Sequence, residues 1–293
     1  MSAQDETKTM ALFCDFENVA LGVRDAKFDK FDISKVLERL LLKGSIVSKK
    51  AYCDWERYKA FKQDMHAAAF ELIEIPHRSM SGKNSADIRM VVDALDLCYT
   101  KSHLDTFVII SGDSDFSPLV SKLRENNKTV IGVGVKNSSS DLLISNCDEF
   151  IFYDDLVRET QGRASAAKKS KPIRKRTASK GEAHGGNGTP PVAAEAEAAP
   201  TATKPEQGKK EEAIAYVIET VEALLAERGA EEKIWGSMVK QTLKRRNPGF
   251  NESYYGFRAF SDVLEEAEKR KLLVLERDEK SGGYVIRLTQ IQE

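Results

Sequence analysis

Val108-Ile109-Ile110-Ser111-Gly112-Asp113-Ser114-Asp115-Phe116 is the stretch that decides the fold. It opens as a β-branched apolar run, breaks at Ser111-Gly112 into acids, and passes into a helical pattern over Phe116–Asn126 with Pro118 in the first turn. Proline is tolerated there because that N–H has no helical partner. A strand feeding a helix through an acidic turn is the unit this spacing describes. Working outward, comparable apolar runs recur at Met10–Cys14, Ile46–Cys53, Glu71–Ile75, Thr106–Ile110, Thr129–Val135 and Glu149–Phe152. Between them lie segments of helical period. Asp32–Lys43 places Ile33, Val36, Leu37, Leu40 and Leu41 on one face, and Ser85–Tyr99 does the same with Ile88, Val91, Val92 and Leu95, Ser85 serving as N-cap. Alternation of this kind predicts an α/β fold with a mostly parallel sheet and helices on both faces. Ligands of such sheets bind outside the carboxyl ends of the strands.

Composition divides the 293 residues into three parts. Residues 1–158 carry 21 basic and 25 acidic side chains, residues 159–210 carry 11 and 5, and residues 211–293 carry 13 and 16. No aromatic residue occurs between Tyr153 and Tyr216, and five of the eight prolines lie from Pro172 to Pro205. Such a segment buries too little apolar surface to offset its chain entropy, so 159–210 reads as a basic, Pro/Ala-rich disordered linker between two folded units. Eight Lys/Arg and no acid lie between Arg163 and Lys180, a run that holds nucleic acid loosely or simply keeps the tether soluble. Nothing approaches the run of about 20 apolar residues a membrane helix needs. The polar start and the four scattered cysteines, without zinc or disulfide spacing, predict a reduced, cytoplasmic protein with no membrane partner.

Acids stand at the expected strand ends. The first run leads into Asp15-Phe16-Glu17-Asn18, the fourth into Ser111–Asp115, and Lys83-Asn84-Ser85-Ala86-Asp87 opens the helix before that fourth strand. Each motif has a local reading: Asp-Phe-Glu-Asn and Ser-Gly-Asp-Ser-Asp as helix caps, Asp87 as a first-turn acid favoured by the helix dipole. Capping does not account for all three at the ends of strands in one sheet. Carboxylates crowded together repel unless a cation is bound, and with neither His nor Cys in the motifs the fitting cations are Mg²⁺ or Mn²⁺. The chemistry favoured is metal-assisted hydrolysis of a phosphodiester. A haloacid-dehalogenase-type phosphatase would require Asp where Glu17 stands, and no Walker-A pattern is present.

Asp15-x-Glu-Asn18 after the first strand, Lys83-x-x-x-Asp87 opening a helix, Asp93 further along it, and Ser111-Gly-Asp113-Ser-Asp115-Phe116 resemble the NYN domain, the LabA-like (DUF88) branch of the PIN-like nucleases, over about residues 10–155. The resemblance implies a Rossmann-like α/β/α sandwich with a divalent-metal centre that cuts RNA. It assigns Asp15, Asp87, Asp113 and Asp115 to the acidic catalytic and metal-binding set. Asn18 is expected to orient the first acid or touch a phosphate, Lys83 to face the phosphate backbone, and Ser111 and Ser114 to hydrogen-bond the acids or the substrate. Asp93, six residues beyond Asp87, is rotated about 120° around the helix and is expected in the outer shell or in a structural role.

From 211 to 293 the pattern is three helices followed by a hairpin. Glu211–Arg228 and about Gly236–Arg246 and Tyr255–Arg270 are helical, and Leu272–Leu275 and Tyr284–Leu288 flank a turn at Lys280-Ser281-Gly282-Gly283. Ile234-Trp235, Asn251-Glu-Ser-Tyr-Tyr-Gly-Phe257 and Gly283-Tyr-Val-Ile286 resemble the LOTUS (OST-HTH) domain, a small winged helix whose family implies binding to RNA or, in some members, to a protein partner. The candidate RNA surface is Lys240, Lys244, Arg245, Arg246 and Arg258 with Tyr254 and Tyr255 for stacking; its other reading is a solvated helix end with half-buried aromatics. The two units together predict a tethered metal-dependent ribonuclease. The alternative is a non-catalytic RNA-binding regulatory adaptor.

Overall fold

A computed structural model describes residues 8–75, 85–160, 204–228, 233–278 and 283–288; Lys83, the tether over 161–203 and the turn Lys280-Ser281-Gly282 lie outside them. Six strands, β1 (Lys8–Asp15), β2 (Gly44–Cys53), β3 (Glu71–Glu74), β4 (Thr106–Ile110), β5 (Thr129–Gly134) and β6 (Glu149–Phe152), pair in parallel in the order β3-β2-β1-β4-β5-β6. The order reverses between β1 and β4, which opens a crevice at their carboxyl ends.

β1 shows why these strands read as continuous apolar runs. Met10, Leu12 and Cys14 enter one core, where α1 (Phe16–Asp25), α2 (Ile33–Leu41) and α3 (Lys59–Ala67) pack, together with α7 over 153–160. Ala11 and Phe13 enter the other, under α4 (Ser85–Thr100), α5 (Ser117–Glu125) and α6 (Asp141–Asn146). A strand buried on both faces has no polar side to alternate with. Truncating a side chain as enclosed as Phe13 to alanine costs about 3–5 kcal/mol.

α4 corrects one expectation. Val91 and Leu95 are half-buried, but Ile88 and Val92 are exposed, and the residues that reach the core are Met90, Ala94 and Cys98. The helix is apolar around most of its circumference, so periodicity does not fix its rotation. Small residues at 94 and 98 let it approach the sheet closely. Asp93 on the adjoining face accepts from the Tyr52 hydroxyl (2.9 Å) and pairs with Lys50 (3.5 Å) on β2.

The C-terminal unit is helical with a small antiparallel sheet. It comprises α8 (Lys204–Arg228), β7 (Ile234–Trp235), α9 (Gly236–Arg246), α10 (Phe260–Lys269), β8 (Leu273–Arg277) and β9 (Tyr284–Leu288), with strand order β7-β9-β8 around a separate core. α8 begins at Lys204, on the tether side of the expected start at 211. α10 begins at Phe260 rather than Tyr255, because Asn251 closes a turn onto the Ser253 N–H and Asp262 accepts the Arg258 and Ala259 N–H groups.

This unit rests on the edge strand β6. The Phe150 N–H donates to the Pro248 carbonyl (3.0 Å), the Asn251 amide donates to Asp155 (2.9 Å), and Lys244 lies 3.8 Å from Glu149. An edge strand offers unpaired backbone groups, and here one of them is satisfied across the junction. Among the described residues no helix is long and apolar enough to cross a membrane.

Candidate active site

The carboxyl end of β1 places Asp15 at the head of α1, where its carboxylate accepts the Asn18 N–H (3.4 Å) as an N-cap. β4 ends in Ser111, whose buried hydroxyl donates to the other Asp15 oxygen (3.0 Å) and accepts the Asp113 N–H (3.2 Å). The Asn18 side-chain oxygen accepts the Gly112 N–H (2.9 Å), which ties the two strand ends together. Gly112 is required by close approach: a Cβ there would stand 2.3 Å from the Ser138 carbonyl oxygen. Asp113 then caps the 3-10 turn Ser114–Phe116 through the Asp115 N–H.

The first turn of α4 brings Asp87 to the same place. Asp15, Asp87 and Asp113 line one cleft of about 270 Å³, together with Glu17, Asn18, Tyr52, Cys53, Asp54 and neighbouring apolar groups. Asp15 is 8% exposed. Burial, and then the charge of Asp87, pushes its carboxyl up to about 7 against the pull of the Ser111 and Asn18 hydrogen bonds; Asp113 adds to the rise. Asp87 is raised by burial and by Asp113, Asp115 and Glu17. Among the described residues none of the three acids forms an ion pair with Lys or Arg.

The other sequence-derived residues are placed differently. Asn18 lines the cleft but holds Gly112 and Asp15, and Ser111 is enclosed behind Asp15. Asp115 is exposed and Ser114 half-exposed, and neither lines the cleft; Asp115 acts on it through the field at Asp87. Lys83 lies outside the described residues. Asp93, only 12% exposed in its side chain, is held by Arg89 (3.1 Å), Lys50 and Tyr52. Since Tyr52 lines the cleft, Asp93 supports the wall from behind. Glu17, Tyr52 and Asp54 escaped sequence reasoning as site residues. The Asp54 signal was its position at the carboxyl end of the second strand, which proves to be the neighbour of β1. Cys53 shares the cleft, but burial and then Glu74 and Glu17 push its thiol up, leaving it protonated and poorly nucleophilic.

Among the C-terminal candidates, Tyr255 is buried and stacked on Phe250 at 5.2 Å. Lys240 pairs with Glu252 (2.9 Å), Lys244 faces Glu149 (3.8 Å) and Arg246 pairs with Glu219 (2.5 Å). Arg245 and Arg258 are exposed, and Tyr254 is half-buried.

The donor chemistry of the cleft suits a hard divalent cation: several carboxylates, of which Asp15, deeply buried, and Asp87 and Asp113 form no ion pair among the described residues. Among the described residues no three His, Cys, Asp or Glu side chains are placed to hold one ion together.

A six-stranded parallel sheet with an acidic cleft at its switch point defines a PIN-like α/β domain. Residues 9–154 match the NYN family, and this part of the chain is an NYN domain, of a PIN-like nuclease family whose members typically use divalent metals. The chain is 28% identical over 144 residues to an uncharacterized protein of Methanocaldococcus jannaschii, a span of 48% of this chain and 55% of that protein, so it matches about half the length of that relative. It is also similar to a crystal structure of a protein of unknown function from Vibrio parahaemolyticus, at 28% identity and a TM-score of 0.47, covering 53% of this chain and 98% of that one.

Proposed function

We propose that the chain is a divalent-metal-dependent ribonuclease, with Asp15, Asp87 and Asp113 as its acidic centre. The observation that carries this reading is their convergence on one cleft without a basic partner. Repulsion of this kind is unfavourable in a folded protein and is relieved only by protons or cations. Mg²⁺ or Mn²⁺ bound there would activate water and stabilise the charge that develops on the phosphoryl group. Asp15 and Asp113 supply fixed carboxylate oxygens, because the Ser111 hydroxyl and the Asn18–Gly112 bond lock the two strand ends in register. Asp87 approaches from the opposite element. Glu17, held by Arg57 at 3.2 Å, adds negative charge at the rim, where it favours the cation over the substrate until the cation is bound. Asp115, outside the cleft, contributes through its field at Asp87.

The C-terminal unit, read as a LOTUS-like winged helix with β8 and β9 as its wing, captures RNA and raises its concentration near the cleft. A protein partner on the same unit is the alternative reading of that family. Four free, buried cysteines suit a reducing compartment such as the cytoplasm.

The test incubates labelled single-stranded and structured RNA with the full chain, with Mn²⁺ or with chelator. Metal-dependent products that disappear in Asp113→Asn, with folding unchanged, support the ribonuclease. Retention of RNA without products supports the non-catalytic adaptor instead.

A further inference from the structure

The junction of the two units encloses a second crevice, of about 260 Å³, distinct from the acidic cleft. The NYN side contributes Lys136, Asp141 and Phe152; the C-terminal side contributes Arg246, Phe250 and Tyr254. Its size is below that of sites for whole drug-sized ligands and suits one planar ring with an attached anion. Lys136 Nζ lies 3.1 Å from the centroid of the Tyr254 ring, and Lys209 and Arg158 approach the same ring at 4.6 and 5.5 Å. Among the described residues neither Lys136 nor Lys209 forms an ion pair, unlike the lysines of α9. These ammonium groups sit over the Tyr254 ring without a carboxylate partner among the described residues, so a phosphate that draws Lys136 off the face leaves the ring to stack an unstacked base.

The crevice is also in line with the acidic centre. Lys136 opens the 3-10 turn Lys136–Ser138 at the carboxyl end of β5, and that turn packs directly on Gly112, with the Ser140 N–H donating to the Gly112 carbonyl (2.9 Å). Its other side is fixed to the element after β6, since the Lys136 N–H donates to Asp154 (2.8 Å). From Asp113 after β4 to the junction beyond β6 is two strand spacings, about 10 Å.

From this arrangement we infer that the inter-unit crevice is a subsite for single-stranded RNA, stacking one base against Tyr254 and pairing its phosphate with Lys136, while the strand continues along the carboxyl edge to the acidic centre. The inference rests on the ribonuclease reading for the direction of the strand, and its test separates the two. Binding of a short labelled single-stranded RNA to the full chain is measured by anisotropy in chelator, where no cleavage occurs, over a range of salt. Tyr254→Ala should weaken binding about tenfold or more, and Tyr254→Phe, which keeps the ring, should restore it. Lys136→Gln should reduce the slope of log affinity against log salt by about 0.7, the value for one lost phosphate contact. A purely structural role at the junction would leave that slope unchanged. Parent-like binding by both Tyr254→Ala and Lys136→Gln, or failure of Tyr254→Phe to restore affinity, overturns the subsite. If these variants lose RNA in chelator but the parent never yields products with Mn²⁺, the subsite stands and the ribonuclease falls. If the parent cuts RNA while the variants bind and cut as it does, the ribonuclease stands and the subsite falls.

Discussion

The acidic cleft and the basic helix α9 handle charge in opposite ways. Around Asp15, three carboxylates line one cleft and, among the described residues, no lysine or arginine closes an ion pair with any of them. Along α9, Lys240, Lys244 and Arg246 each stand against a glutamate. The same contrast runs within α4, where Asp87 points into the cleft unpaired and Asp93 is enclosed by Arg89, Lys50 and Tyr52. Charges that a fold neutralises internally hold the fold together. Charges that it crowds and leaves unpaired are the ones reserved for a ligand.

The strongest way to break this contrast is to neutralise one acid of each kind. Asp87→Asn should reduce metal-dependent RNA cleavage by about 1,000-fold, the scale of losing one strong electrostatic contribution to a transition state. Its melting temperature should not fall, because the substitution removes repulsion. Substantial residual cleavage by the purified variant would mean that the unpaired acids are not the centre.

Next in size is the pH dependence of the metal-free chain. The native carboxyl of Asp15 sits at about 7, raised by burial and by Asp87; in an unfolded chain it lies near 3.9. Below about pH 4 both states hold the proton and native stability has its full value. Between there and 7 the unfolded chain ionises first, so stability falls as pH rises, by about 4 kcal/mol in all. Above 7 the loss is complete. Denaturant midpoints at pH 5 and pH 8 in chelator should therefore draw apart for the parent and converge for Asp15→Asn. Equal midpoints for the parent at both values would remove the electrostatic basis of the cleft.

Asp93→Ala sharpens the comparison from the other side. It strands the Tyr52 hydroxyl, at a cost of about 1–3 kcal/mol, while Lys50 keeps Glu71 at 3.3 Å. The loss should appear as a lower melting temperature with cleavage per folded molecule retained. A selective loss of cleavage would move Asp93 into the acidic centre itself.

How much of this was legible in the sequence follows the range of the interactions involved. All six strands could be read from β-branched runs, since burial on both faces imprints itself locally, and Asp15 and Asp113 could be placed because strand ends are local features. Asp87 could be counted with them because it opens the helix just before the fourth strand, and the family resemblance assigns it to the same set; how that helix docks on the sheet is not written in spacing. The rotation of α4 is not legible at Ile88 and Val92, because its apolar arc is wider than the strip the sheet covers and periodicity does not choose within it. Asp54 and Tyr52 needed the strand order. On α9, the basic run is plain in sequence, but the acids that answer it are Glu219, Glu252 and Glu149, each remote along the chain or on the other unit.

The smallest expected effect lies on α9. If Lys240 and Lys244 are structural, Lys240→Ala and Lys244→Ala should each cost at most about 1 kcal/mol, as partly exposed pairs do, and change RNA affinity less than about threefold. A lysine already closed onto a carboxylate must give up that contact to reach a phosphate, so its net contribution to RNA binding is small. Lys136, by contrast, has no carboxylate to leave among the described residues. The measurement is the ratio of affinities for the α9 variants and Lys136→Gln on one RNA at one salt concentration. A larger loss from α9 than from Lys136 would mean that RNA displaces the glutamates, and that pairing in the free chain does not distinguish structural charge from functional charge here.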